Sequence, residues 1–219
     1  MKNSWRLLFF VLIIIIVANL KTCVAIYEPF SSKSKLVLMG DSIFKNQLFV
    51  PKGKSVESLL KKKLGADKVS VFAEDGATIF DLNIQIRSLT KKYNNKNTYI
   101  FLSFGGNDII ENFIDSYTGV TLQQLFNDYK KNISKLTYKL PKAKIYLTTI
   151  YYPKVAPYLY YKKVIKSWNN MIISYAKKNN WGVLRLDNLF KKKRDFTNSI
   201  EPSMRGGKII TNNVGILLN

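Results

Sequence analysis

Five short runs of nearly unbroken apolar character limit the folds open to this chain more than any other feature. They are KLVLMG (35–40), KVSVFA (68–73), TYIFLSFGG (98–106), AKIYLTTI (143–150) and WGVLRLD (181–187). A strand with one wet face alternates apolar and polar residues. A strand apolar at almost every position is covered on both faces, as in a parallel sheet. Between the runs lie amphipathic stretches near 54–64, 79–93, 121–139 and 158–180, with a last one near 204–218. Strands alternating with helices imply right-handed crossovers and a three-layer α/β/α domain. No internal repeat, Pro/Ser-rich linker or charge run divides the chain after residue 25, so 26–219 is expected to be one domain. Its length allows a sizeable core.

The first 25 residues have a different character. Lys2 and Arg6 precede an apolar run from Leu7 to Ala18, followed by small residues at Cys23 and Ala25. A basic start, an apolar centre and a small-x-small exit describe an export signal, with an uncleaved anchor as the alternative. The expected location is secreted, periplasmic or otherwise extracytoplasmic, or membrane-anchored in the alternative. A spanning helix wants about 18 or more apolar residues, which this run does not reach. Cys23 is the only cysteine and the chain has no histidine. Zinc enzymes draw mainly on those two residue types, so a zinc site is not expected. Cleavage after Ala25 would also leave no thiol for a disulfide.

Thirty-five Lys and Arg against 14 Asp and Glu give a formal charge of +21. The lysines are scattered singly or in short runs, which fits the Lys/Asn/Ile-rich composition of an AT-rich genome. Such a surface would attract anionic polymers or membranes weakly; no specific nucleic-acid partner is expected.

Ligands of parallel α/β sheets sit beyond the carboxyl ends of the strands. Those ends deliver Gly40-Asp41-Ser42, then a segment containing Gly76, then Gly105-Gly106-Asn107-Asp108. The loop after the fifth run carries DFTNSIEPSMRGG. The blocks VLMGDSI, DGATIFDL, FGGNDI and IEPSMRGG, in this order, resemble those of the SGNH hydrolases, the GDSL-type lipases and esterases. The resemblance spans essentially the whole chain after the leader. It implies a flavodoxin-like, five-stranded parallel sheet and ester hydrolysis without a cofactor. It also implies that Ser42 is the nucleophile, with Gly76 and Asn107 helping to form an oxyanion hole. The expected substrate is a small-molecule or glycan ester, such as a carbohydrate acetyl or short acyl ester; the oligomeric state is left open.

Each of these residues has a plainer alternative. Ser42, at an expected strand-to-helix turn, could cap the next helix. Gly76 could serve a turn that needs positive φ, and Asn107 an Asx turn. Asp41 and Asp108 are expected to be architectural, holding loop backbone. Tyr151 and Tyr152 could line a pocket or cover the sheet end.

One block departs from the family pattern. Where the resemblance calls for Asp-x-x-His, the chain reads Asn198-Ser199-Ile200-Glu201. An extended glutamate reaches about as far from Cβ as an imidazole, so Glu201 could replace the base if burial raised its proton affinity. Asn198 could then orient it by donating a hydrogen bond to its carboxylate. The alternative is a protein of the same fold that binds a carbohydrate or acyl ligand without turnover.

Overall fold

The computed structural model of the chain describes residues 30–113 and 120–219. The expected export segment, residues 1–25, lies outside the described residues. Five strands form one parallel sheet: β1 (Lys35–Gly40), β2 (Val69–Val71), β3 (Thr98–Ser103), β4 (Lys144–Thr148) and β5 (Gly182–Leu184), in spatial order β2-β1-β3-β4-β5. Leu36 pairs with Val69 on one side and Tyr99 on the other, which makes β1 a central strand. All the pairings are parallel, and the crossovers carry the main helices.

Alternate residues of each strand feed opposite layers. Val37, Met39, Ile100 and Leu102 face a core built with α2 (Ile79–Ser88), α3 (Gly106–Phe113), α4 (Leu122–Lys139) and α5 (Lys162–Lys178). Leu36, Leu38, Tyr99 and Phe101 face a second core with α1 (Val56–Leu64) and α7 (Met204–Leu218), while a short α6 (Leu186–Leu189) follows β5. Burial on both faces explains why the strands lack polar alternation. This is the expected three-layer α/β/α sandwich with a five-stranded, flavodoxin-like sheet.

The differences from expectation are local. The edge strands β2 and β5 have three residues each, because only those pair with a neighbour. The third run, read as strand-like through Gly106, ends as β3 at Ser103, and α3 begins at Gly106. Ser42 does not enter a helix: residues 41–44 form a turn, closed by Phe44 and Lys45 N–H groups donating to the Asp41 carbonyl. The next helix, α1, is capped by Ser55, whose hydroxyl accepts from the Ser58 N–H. Ser42 is therefore no helix cap.

The sheet's carboxyl edge is pinned by buried amides. Gln85 in α2 grips Gly40 from both sides, accepting from its N–H at 2.8 Å and donating to its carbonyl at 2.9 Å. Asn169 in α5 does the same for Ile150 at the exit of β4. Gly40 itself has φ +137°, and a Cβ there would meet the Ser103 carbonyl oxygen at 2.2 Å. Only glycine lets β1 leave the sheet this close to β3.

Candidate active site

Beyond the ends of β1, β3 and β4 is a cavity of about 50 Å³, lined by Ser42, Asp41, Asn107 and Glu201 on one side. Its remaining wall is largely apolar and aromatic: Ile109 and Ile110 from α3, Ile150, Tyr151 and Pro153 after β4, and Tyr158, Tyr161 and Ile165 at the start of α5. A cavity of that size has room for a few water molecules or a small acyl group.

The structure brings Ser42, Asn107 and Glu201 to this one cavity. Ser42 is 7% exposed and follows directly on the Gly40 contact with β3. Asn107 lies in the first turn of α3, whose N-terminal N–H groups carry partial positive charge toward any anion in the cavity. Its amide donates one hydrogen to the Ala77 carbonyl at 2.9 Å, which ties the third block to the second and leaves the other hydrogen for a ligand.

Gly76 takes a different place. It is exposed, with φ +73°, and it lines the next hollow along the β2–α2 loop together with Asp75 and Asp81. Both its neighbours reach toward the Ser42 cavity, Ala77 through Asn107 and Asp75 through its charge on Glu201.

Glu201 is 8% exposed, so its carboxyl is withdrawn from water. Burial pushes its pKa up to about 7, and the Asp75 carboxylate adds to the rise. The Ser42 hydroxyl acts the other way, stabilising the ionised form by hydrogen bonding. The Oε2 atom of Glu201 is buried and has no hydrogen-bond partner among the described residues.

Asn198 does not act on this carboxylate. Its Oδ1 accepts from the backbone N–H groups of Ile200 at 2.9 Å and Glu201 at 2.7 Å, so it shapes the main chain instead. The physical reason is the Asx turn, which spends the amide oxygen within its own loop. Tyr151 holds the same loop from the other side: its hydroxyl donates to the Ile200 carbonyl, and its ring stacks on Phe190 and meets Phe196 edge-on. Tyr152 packs against the α2–α5 core.

Asp108 is architectural, as expected. Its two oxygens accept from the Ile79 N–H at 3.0 and 3.2 Å, capping α2 from α3. Asp41 accepts from the Ser103 hydroxyl at 2.7 Å and the Ile43 N–H at 3.1 Å, and it also lines the cavity. Burial raises Asp41 to about 7 and Asp108 to about 6; the Glu201 charge adds to the rise at Asp41.

Two positioning groups had no obvious signal. Asn46, fully buried, accepts from the Val56 N–H at 2.8 Å and donates to the Pro202 carbonyl at 3.3 Å, tying the last loop to the start of α1. Ser103 holds Asp41 from the end of β3. An Asn-Gln pair opening NQLFV and a serine closing an apolar strand are the only traces of either in the sequence.

Residues 38–206 match the model of the GDSL-like lipase/acylhydrolase family. Solved structures of similar fold include a lipolytic protein of the G-D-S-L family from Veillonella parvula, with 18% identity and a TM-score of 0.61 over 83% of this chain and 96% of that one. A GDSL-like lipase from Bacteroides thetaiotaomicron has 16% identity and a TM-score of 0.65, over 89% and 92% of the two chains. The acetyl xylan esterase AlAXEase has 17% identity and a TM-score of 0.63, over 84% of this chain and 100% of the other. No curated protein sequence matches significantly. At these identities the likenesses establish the fold, and the family match establishes the class, that of ester hydrolases. The chain belongs to the GDSL-like lipase/acylhydrolase family, the SGNH hydrolases that its four blocks resemble.

Proposed function

We propose that the protein hydrolyses a short acyl ester, such as an acetyl group on a carbohydrate, with Ser42 as nucleophile and Glu201 as base. The carrying observation is the Glu201 carboxyl, buried in the Ser42 cavity and lifted to about 7. A carboxylate near its ordinary value is a poor proton acceptor, whereas one poised near neutrality can both take and return a proton.

In this scheme Glu201 takes the proton as Ser42 Oγ bonds to the acyl carbon, and the carbonyl electron pair moves onto oxygen. The oxyanion meets the second amide hydrogen of Asn107 and the backbone N–H of Ser42. A single donor of this kind contributes about 3–4 kcal/mol. Collapse breaks the ester C–O bond, and Glu201 returns its proton to the leaving alcohol. Water then repeats the sequence on the acyl-serine, releasing the acid. The small apolar wall supports a short acyl group, with the alcohol left outside. No cofactor enters, because the serine supplies the covalent chemistry.

The test is labelling of the full chain with a fluorophosphonate, mass mapping of the adduct, and hydrolysis of p-nitrophenyl acetate. Label on Ser42 and turnover abolished by Ser42→Ala are expected. If neither label nor hydrolysis is seen, the cavity is a ligand pocket on a hydrolase fold. The basic and apolar order of residues 1–25 supports export with a mature start near Ile26. N-terminal sequencing from the native host checks this, and an intact Met1 on membrane-embedded protein would favour an anchor.

A further inference from the structure

The cavity holds a second carboxyl that the scheme above leaves unused. Asp41 is 3% exposed and Glu201 8%, and both border the same space of about 50 Å³ as Ser42. The groups that act on them come from several elements. Asp41 meets the Ser103 hydroxyl of β3, the Ile43 N–H and the charge of Glu201; Tyr129 of α4 and Tyr151 after β4 feel its charge in turn. Glu201 meets Ser42, and Asp75 from the β2–α2 loop. In a chain of +21 formal charge, no cation is among these groups, and neither carboxyl enters an ion pair among the described residues. Two carboxyls confined together without a cation cannot both ionise at low cost.

We propose that Asp41 is a positioning residue that works as the protonated neighbour of Glu201, so that the two carboxyls carry one proton in the resting site. The proposal rests on Glu201 being the base. A pair with one proton carries one negative charge, and none after Glu201 takes the proton of Ser42. A neutral imidazole beside a carboxylate passes through the same two charge states. The second acid missing at Asn198 is thus replaced from the first block, by Asp41. Asp41 keeps its proton throughout, so the oxyanion forms without a second bare carboxylate in the cavity. Ionising Asp41 at higher pH opposes oxyanion formation and slows attack by Ser42 about tenfold or more in a site of low dielectric.

The experiment measures the rate of fluorophosphonate labelling of Ser42 in the full-length chain from acid to alkaline pH. The wild type is expected to give a bell, rising as Glu201 ionises and falling as Asp41 does. Asp41→Asn fixes the neutral form and should keep the acid limb while losing the alkaline fall. Ser103→Ala removes a hydrogen bond that favours ionised Asp41, so it should move the alkaline fall to higher pH. It also guards against Asp41→Asn failing to fold. Glu201→Gln separates the two ideas, because it should suppress labelling at every pH. Full labelling in Glu201→Gln would overturn the base and the pair together. A wild-type profile without an alkaline fall, or one unchanged in both Asp41→Asn and Ser103→Ala, would overturn the pair alone.

Discussion

At position 201 the side chain found is a carboxyl whose usefulness depends on its surroundings. Glu201→Gln preserves shape and removes the proton acceptor, so turnover of p-nitrophenyl acetate should fall about 10²–10⁴-fold. Glu201→His should raise activity at neutral pH, and adding Asn198→Asp should raise it further, because an aspartate can stabilise the imidazolium. The buried acids also leave a mark on stability. Asp41 and Glu201 sit near 7 and Asp108 near 6, all raised above 3.8 or 4.5 mainly by burial. An acid raised on folding stabilises while protonated, fully below its unfolded value and no longer above its folded one. Thermal stability should therefore decline between about pH 4 and pH 7, and Asp108→Asn should make the decline shallower. Burial also pushes Asp187 and Asp195 up, but hydrogen bonds outweigh it: those of Arg185 and Thr149 at Asp187, and those of the Lys191 and Lys192 N–H groups and Arg205 at Asp195. Both end lowered, so they lose their contribution only in acid. A Tm that climbs steadily from about pH 4 to pH 7 would contradict this balance.

Among the elements, β1 was legible to the residue because burial on both faces leaves an uninterrupted apolar run. β2 and β5 were over-read because apolar character outlasts pairing at a sheet edge. The first turn of α3 was hidden because Gly-Gly-Asn-Asp carries loop propensity, which the tertiary setting overrides: Asp108 caps α2 from that turn. The role of Asn46 was illegible, since its two partners lie 10 and 156 residues away. Asn46→Ala would leave the buried Val56 N–H unpaired, which costs about 1–3 kcal/mol. Denaturant unfolding should show that loss, and labelling of Ser42 should slow as the Glu201 loop loosens. The hydroxyl of Ser203, the next polar group along that loop, is already committed to the Arg194 carbonyl at 2.8 Å.

For the molecule as a whole, the surface and the site obey different electrostatics. The sequence carries 35 cationic side chains against 14 acidic ones, and this excess of like charge is self-repelling. The Debye length falls from about 30 Å at 0.01 M salt to about 10 Å at 0.1 M, so sodium chloride should raise Tm over that range. The carboxyls at Ser42 are buried, and the labelling rate at neutral pH should barely respond to the same salt. A labelling rate that tracks ionic strength as Tm does would mean that surface charge governs the site.

The burial of the Glu201 carboxyl has a vibrational consequence. A protonated carboxyl withdrawn from water stretches at higher frequency than a solvated one. Infrared difference spectra between the wild type and Glu201→Gln would thus display this one group separately. Its band should fade with rising pH as the proton leaves, which reports the charge of the base with no substrate present.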